Sequence, residues 1–120
     1  MSAAPDSASV EGYLAAVATQ DWAALAAAVT ADVVRIGPYG DVYNGRDAYV
    51  AFLSALMPTL PGYSMAVSRV SYLDDGRRAV AELSETVTVD GSPLLTPEVL
   101  LFELTTDGQV ERVEIFTRRA

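Results

Sequence analysis

Residues 10–53 read VEGYLAAVATQDWAALAAAVTADVVRIGPYGDVYNGRDAYVAFL and decide the first half of the fold. The spacing i, i+3, i+4, i+7 of four apolar residues predicts an amphipathic first helix; these are Val10, Tyr13, Leu14 and Val17. Asp21 follows a short break and is placed to cap a second helix. The apolar face of that helix carries Trp22, Leu25 and Val29.

The rest of this stretch predicts a strand, a loop and a third helix. Residues 33–36 are extended and lead into the loop Gly37-Pro38-Tyr39-Gly40. The third helix follows Asn44-Gly45, and its predicted buried residues are Tyr49, Phe52, Leu53 and Leu56. Helix, helix, strand and helix in this order are typical of an α+β domain whose helices cover one face of a sheet.

The second half of the chain predicts an antiparallel meander. Four strand-like runs, 63–73, 78–89, 94–104 and 110–118, are separated by Asp-Gly turns at 75–76, 90–91 and 107–108. We therefore predict a cone-shaped α+β domain, with three N-terminal helices packed on a curved, mostly antiparallel sheet. Residues 1–8 are expected to form a flexible N-terminus, and residues 9–120 a single domain with a pocket between helices and sheet.

The residue types present restrict the chemistry. The chain has no cysteine, no histidine and no lysine, and its eight basic residues are all arginine. A thiol nucleophile, a disulfide, a Schiff base, an imidazole base and the usual zinc sites are therefore excluded. Acid–base work falls to Asp, Glu or Tyr, and we expect neither a metal nor an organic cofactor.

The charge restricts the partners. A net charge of −8 disfavours nucleic acid and anionic membranes, because both require a basic surface. No apolar run approaches 18 residues, and residues 1–9 lack the positive start of a signal peptide, so a cytoplasmic protein is expected. Basic residues restricted to arginine, together with many alanines, are associated with bacterial genomes of high GC content.

Strand parity places two carboxylates on apolar faces. Glu85 shares a face with Leu83 and Val87, and Glu98 shares one with Leu100. A buried carboxylate must be paired, protonated or solvated in a cavity. The alternatives are a strand end, an ion pair with Arg35, or a pair of carboxyl groups that face a pocket. A bulge at Pro97 would invert the parity of Glu98 and turn its side chain outward.

Nearly the whole chain resembles the nuclear transport factor 2-like superfamily, which includes ketosteroid isomerases, limonene-epoxide hydrolases and SnoaL-like polyketide cyclases. The segments that carry the resemblance are Tyr13-Leu14, Asp21, Ala31-Asp32-Val33-Val34, Gly37-Pro38-Tyr39-Gly40, Gly45-Arg46-Asp47, Phe102 and Asp107-Gly108-Gln109-Val110. The superfamily hosts many chemistries and also proteins with none, so the resemblance implies the fold more directly than the function.

The resemblance assigns roles only in part. Tyr13 takes the place of the isomerase tyrosine that donates to the substrate oxyanion, and Glu98 that of the neutral acid beside it. The isomerase base falls on Gly37, which has no side chain. In the hydrolases and cyclases an essential acid lies near Ile115, but here the nearest acid is Glu114, one residue away and on the opposite face. The hydrolase arginine falls near Leu83, while Glu85 resembles the aspartate beside it.

We therefore expect an apolar pocket whose acid–base groups are Tyr13, Glu98 and Glu85. The predicted substrate-binding residues are Trp22, Arg35, Tyr39, Phe52, Leu83, Leu100, Phe102, Val113 and Ile115. The expected function is isomerisation, cyclisation or dehydration of a small hydrophobic carbonyl or polyketide-like compound. The alternative is a non-catalytic ligand-binding or dimerisation module that has lost its base.

The reverse face of the sheet predicts a homodimer. Val99, Leu101 and Phe116 form an apolar patch there, and the resemblance also implies dimers through this surface. The expected partners are thus a small hydrophobic ligand and a second copy of the chain, with no nucleic acid and no membrane.

Overall fold

The structure, a computed structural model, describes residues 8–118. The predicted flexible N-terminus, residues 1–8, lies outside this range except for Ala8, where the first helix begins. The helices are α1 (Ala8–Thr19), α2 (Trp22–Ala28) and α3 (Arg46–Leu56), with short 3-10 turns at Met57–Thr59 and Asp74–Gly76. Asp21 caps α2 as predicted, since its carboxylate accepts the Ala24 N–H at 3.1 Å.

The helices bury the predicted apolar faces with three exceptions, the first of which is the half-buried Trp22 of α2. The four residues of the α1 stripe and Leu25 of α2 are all buried. In α3, Tyr49 and Leu53 are buried, but Phe52 is half-buried and Leu56 is 37% exposed. Leu56 ends the helix, and the chain then turns so that Met57 takes the buried place.

Six strands form one mixed sheet. They are β1 (Val29–Ile36), β2 (Val42–Asn44), β3 (Ser64–Leu73), β4 (Arg78–Val89), β5 (Ser92–Leu104) and β6 (Val110–Thr117). Their order is β2-β1-β6-β5-β4-β3, and among these neighbours only β1 and β6 run parallel. The α+β class with three helices packed on a mostly antiparallel sheet is thereby confirmed.

The first strand starts four residues earlier than predicted. Val29, which the periodicity placed on the face of the second helix, is the fully buried first residue of β1. The alanine run that favours helix ends at Ala28, and the β-branched pair Val29-Thr30 favours a strand instead. The helices lie against one face of the sheet, with α2 and α3 in contact with β1 and α1 in contact with β3.

Pro97 does not bulge its strand, so the inversion of Glu98 that a bulge would cause does not occur. The β4–β5 register is continuous, with Pro97 opposite Ser84 and Glu98 opposite Leu83. The Pro97 carbonyl accepts the Arg118 N–H at 3.0 Å, on the side where β6 has already ended. The proline nitrogen faces the same side, so its missing proton removes no bond between β4 and β5.

Within the described residues, no helix has both the length and the apolar character that a transmembrane segment requires.

Candidate functional site

A cavity of about 210 Å³ lies between α1, α3 and the helix-facing side of the sheet. Its wall is mostly leucine, valine, methionine and isoleucine. The polar residues on the wall are Tyr13, Arg35, Tyr49, Tyr63, Glu85, Thr96 and Glu98. In so apolar a space, each of these polar groups needs a partner or a ligand.

The structure brings seven of the predicted site residues together at this wall. They are Tyr13, Arg35, Leu83, Glu85, Glu98, Leu100 and Ile115. Their roles in binding or catalysis remain predictions.

Five predicted substrate-binding residues do not line the cavity. Phe102 and Val113 are buried in the core, where the rings of Phe102 and Tyr13 pack edge to face with their centres 5.2 Å apart. Strand parity gave their face correctly but not their depth along the sheet. Trp22 packs half-buried against the core. Phe52 stacks on Tyr43 with the ring centres 4.1 Å apart. Tyr39 is 75% exposed in its loop.

Two carboxyl groups face the cavity from neighbouring strands. Glu98 lies opposite Leu83 and Glu85 lies opposite Thr96, so the two glutamates are diagonal neighbours on one face. Burial raises the pKa of Glu98 to about 9, and a hydrogen bond with Glu85 and the negative charge of Glu85 act in the same direction. Glu98 is therefore a neutral acid at pH 7 that donates its proton toward Glu85.

Tyr63 is the second donor to Glu85. Its hydroxyl donates to Glu85 Oε2. Burial and the charge of Glu85 raise the pKa of Tyr63, so this hydroxyl keeps its proton. Glu85 thus accepts hydrogen bonds from two neutral donors, Tyr63 and Glu98, at the wall of an apolar cavity.

Tyr13 and Tyr49 form a second polar pair. Their buried hydroxyls are hydrogen-bonded to each other, and either can be the donor. Burial raises the pKa of Tyr13 well above its usual value and that of Tyr49 to about 12. Whichever hydroxyl donates to the other, one proton of the pair remains available to a ligand oxygen.

Arg35 makes an ion pair, but not with the predicted partners. Its Nη1 lies 2.7 Å from Asp41 Oδ2, and Arg35 is only 8% exposed. The expected pairing with Glu85 or Glu98 is not formed. Glu114, by contrast, lies opposite Leu101 on the reverse face and contacts Arg112 at 3.4 Å, as its parity predicted.

Sequence reasoning missed Tyr49, Tyr63 and Asp41 as site residues. Tyr49 was predicted to be buried, and a buried hydroxyl requires a partner, which was a usable signal. Tyr63 precedes β3 with the parity of Met65, the residue opposite Glu85. Asp41 carried no periodic signal, because its position depends on how the 37–41 loop folds.

Solved structures of the same fold give three comparisons. A protein designated a ketosteroid isomerase from Kribbella flavida DSM 17836 superposes with a TM-score of 0.78 at 24% identity, over 94% of this chain and 77% of its own. An LEH-like epoxide hydrolase of M. tuberculosis has a TM-score of 0.77 at 19% identity, over 92% and 80%. A protein designated a polyketide cyclase from Xanthomonas campestris has a TM-score of 0.73 at 26% identity, over 90% and 86%. No curated protein matches the sequence.

The model of the SnoaL-like domain matches residues 10–113, which is most of the chain. This range begins in α1, ends in β6 and includes every polar residue of the cavity wall. Together with the shared fold, this match shows that the chain belongs to the SnoaL-like domain family of the nuclear transport factor 2-like superfamily.

Proposed function

We propose that this protein is an enzyme that performs acid–base chemistry on a small hydrophobic carbonyl compound. The observation that carries the proposal is the pairing of Glu98, whose pKa is raised to about 9, with Glu85 on the wall of an apolar cavity. A neutral acid beside a carboxylate supplies a proton donor and a proton acceptor at neutral pH, without histidine, lysine or metal.

The two glutamates have different roles. A ligand carbonyl oxygen that accepts the Glu98 proton replaces Glu85 as its hydrogen-bond partner, and Glu85 is then free to remove a proton from the adjacent carbon. The resulting enolate oxygen is stabilised by Glu98 and by the free proton of the Tyr13–Tyr49 pair. Return of the proton from Glu85 to another carbon completes an isomerisation. Attack of the enolate carbon on a second carbonyl of the same molecule is a cyclisation, in which the resulting alkoxide takes the proton back from Glu85. Loss of water from that hydroxyketone is a dehydration.

The size of the cavity favours a small substrate. Its 210 Å³ lies below the roughly 300–1,000 Å³ typical of sites for drug-sized ligands. A compound of one or two rings therefore suits it better than a steroid. The designations of the Kribbella and Xanthomonas neighbours agree with carbonyl chemistry, although they describe those proteins.

Deuterium exchange of 2-tetralone tests the proposal. The protons beside its carbonyl exchange with D₂O only through the enol, and proton NMR follows their loss. We expect the wild type to accelerate the exchange and Glu85→Gln to reduce that acceleration by about 10²–10⁴-fold. Glu111→Gln is the matched control, because this carboxylate on β6 does not line the cavity.

Gly37 supports the alternative, a non-catalytic ligand-binding module. Position 37, where the resemblance places a base, has no side chain. A wild type that binds 2-naphthol, an analogue of the tetralone enol, but does not accelerate exchange would favour this alternative. Fluorescence of 2-naphthol measures that binding directly.

A further inference from the structure

Arg35 has an unused hydrogen-bond donor at the cavity wall. Its side chain is 10% exposed, and its Nε–H is buried with no acceptor among the described residues. A buried donor without a partner is costly, so such groups call for a ligand or another explanation. Arg35 lines the cavity, so a ligand oxygen bound against its guanidinium is the candidate partner of this donor.

The guanidinium is held from two other sides. Its central carbon lies 5.0 Å from the ring centre of Phe52 and 5.8 Å from that of Tyr43. Asp41 Oδ2 accepts from Nη1 at 2.7 Å. Phe52, predicted to bind substrate, therefore contacts Arg35 and does not line the cavity itself.

Asp41 reaches Arg35 because position 37 is a glycine. A Cβ at Gly37 would lie 2.3 Å from Asp41 Oδ1 and 2.5 Å from Oδ2, far inside any allowed contact. The backbone brings the carboxylate there, since the Gly37 N–H donates to the Asp41 carbonyl at 2.8 Å. The side-chain space of residue 37 is thus occupied by Asp41.

The local charges define the ligand. The charge of Arg35 is balanced by Asp41, and the charge left in the cavity is that of Glu85. A ligand carboxylate would be repelled by Glu85, whereas a neutral carbonyl, ether or hydroxyl oxygen would accept from Nε without that cost.

We propose that Arg35 is a second oxygen-binding point of the cavity, selecting neutral ligands with two oxygen functions, and that Asp41 is its positioning residue. The inference rests on the proposed function only in taking the cavity as the ligand site. It narrows the substrate class to compounds such as diketones, hydroxyketones and keto esters, in which one oxygen contacts Glu98 and the other Arg35.

Matched phenols test this proposal. The phenol hydroxyl takes the place of the enol oxygen, and a second substituent at position 3 or 4 of the ring reaches across the cavity. A methoxy group offers an acceptor oxygen, and an ethyl group has nearly the same shape without one. Competition with 2-naphthol gives the dissociation constant of each compound. For at least one ring position, we expect wild type to bind the methoxyphenol about tenfold more tightly than the ethylphenol, or roughly 1.4 kcal/mol.

Variants of the chain separate the donor from its support. Arg35→Met should bring the methoxy-to-ethyl ratio close to one, because methionine has no hydrogen-bond donor. Asp41→Asn and Gly37→Ala should both lower the methoxy-to-ethyl ratio. The first variant removes the negative charge of the Asp41 side chain, and the Cβ of the second displaces that side chain from Arg35. Gly12→Ala is the matched glycine control, because a Cβ at Gly12 has no atom within 4 Å.

Three results would overturn the proposal. They are a wild-type ratio near one at both ring positions, failure of the methoxyphenols to bind wild type, and an unchanged ratio in Arg35→Met. An unchanged ratio in both Asp41→Asn and Gly37→Ala would refute the positioning role of Asp41. The proposed catalysis is judged separately by tetralone exchange, so a preserved ratio without exchange refutes the enzyme and keeps the second binding point.

Discussion

Replacing Glu98 with glutamine should change how the stability of the protein depends on pH. The pKa of Glu98 is about 9 in the folded protein, against 4.5 for a free glutamate. Between these values the folded state holds one proton more than the unfolded state, so the free energy of unfolding falls as pH rises through this window. The glutamine amide keeps a donor toward Glu85 but cannot ionise, so the Glu98→Gln variant lacks this fall.

The size of the effect follows from the pKa difference. The slope cannot exceed about 1.36 kcal/mol per pH unit, which gives at most about 2.7 kcal/mol between about pH 6 and pH 8. Glu98 is partly exposed, and solvent screening reduces this to about 1.4 kcal/mol. For a chain of this length, the melting temperature of Glu98→Gln should gain about 5 °C over wild type across this range.

Thermal unfolding followed by circular dichroism at the two pH values measures this gain. Arg35, Tyr63 and Glu85 remain in both proteins, so the two differ only by the Glu98 carboxyl group. Glu111→Gln serves as the control and should follow wild type. Parallel melting temperatures for wild type and Glu98→Gln across the range would refute the claim that Glu98 is neutral in the folded protein.

Three further predictions concern assembly, the loop and a helix cap. Val99, Leu101 and Phe116 are 37%, 41% and 48% exposed on the reverse face of the sheet, so light scattering should give a mass about twice 12.7 kDa. Leu101→Glu should shift that mass toward the monomer, and a monomeric wild type would contradict the proposed dimer. Gly37→Asp, which the resemblance suggests as a way to restore a base, should instead lower stability by about 1–3 kcal/mol through its clash with Asp41. A gain in tetralone exchange by that variant would oppose this reasoning. Asp21→Ala should cost about 1 kcal/mol in urea unfolding by removing the α2 cap, and no loss would show that the cap is dispensable.

Local periodicity predicted the parts of the site that depend on a single element. The α1 stripe placed Tyr13 toward the core, and strand parity placed Glu85 and Glu98 on one face. These predictions hold because side-chain direction repeats regularly along a helix or strand, whatever its neighbours are. The same rule cannot tell how far along a strand the cavity extends. For this reason it predicts Phe102 and Val113 at the pocket, although the structure buries both in the core.

Contacts between distant elements lay beyond the sequence pattern. Tyr13 and Tyr49 are 36 residues apart in the chain. Their hydroxyls meet because α1 and α3 cover the same cavity. Arg35 pairs with Asp41 and not with Glu85. The turn after β1 places the Asp41 carboxylate in the space that is free because residue 37 has no side chain. Loop geometry of this kind is set by a few backbone hydrogen bonds, which leave no periodic trace in the sequence.

The central claim is that Glu98 is a neutral acid on the wall of the cavity at neutral pH. Carbon-13 NMR of the glutamate side-chain carboxyl groups measures this directly, with Glu98→Gln assigning the signal of Glu98. We predict that the Glu98 carboxyl is still protonated at about pH 7 and titrates near a pKa of about 9. A Glu98 signal that titrates fully below about pH 6 would contradict the account.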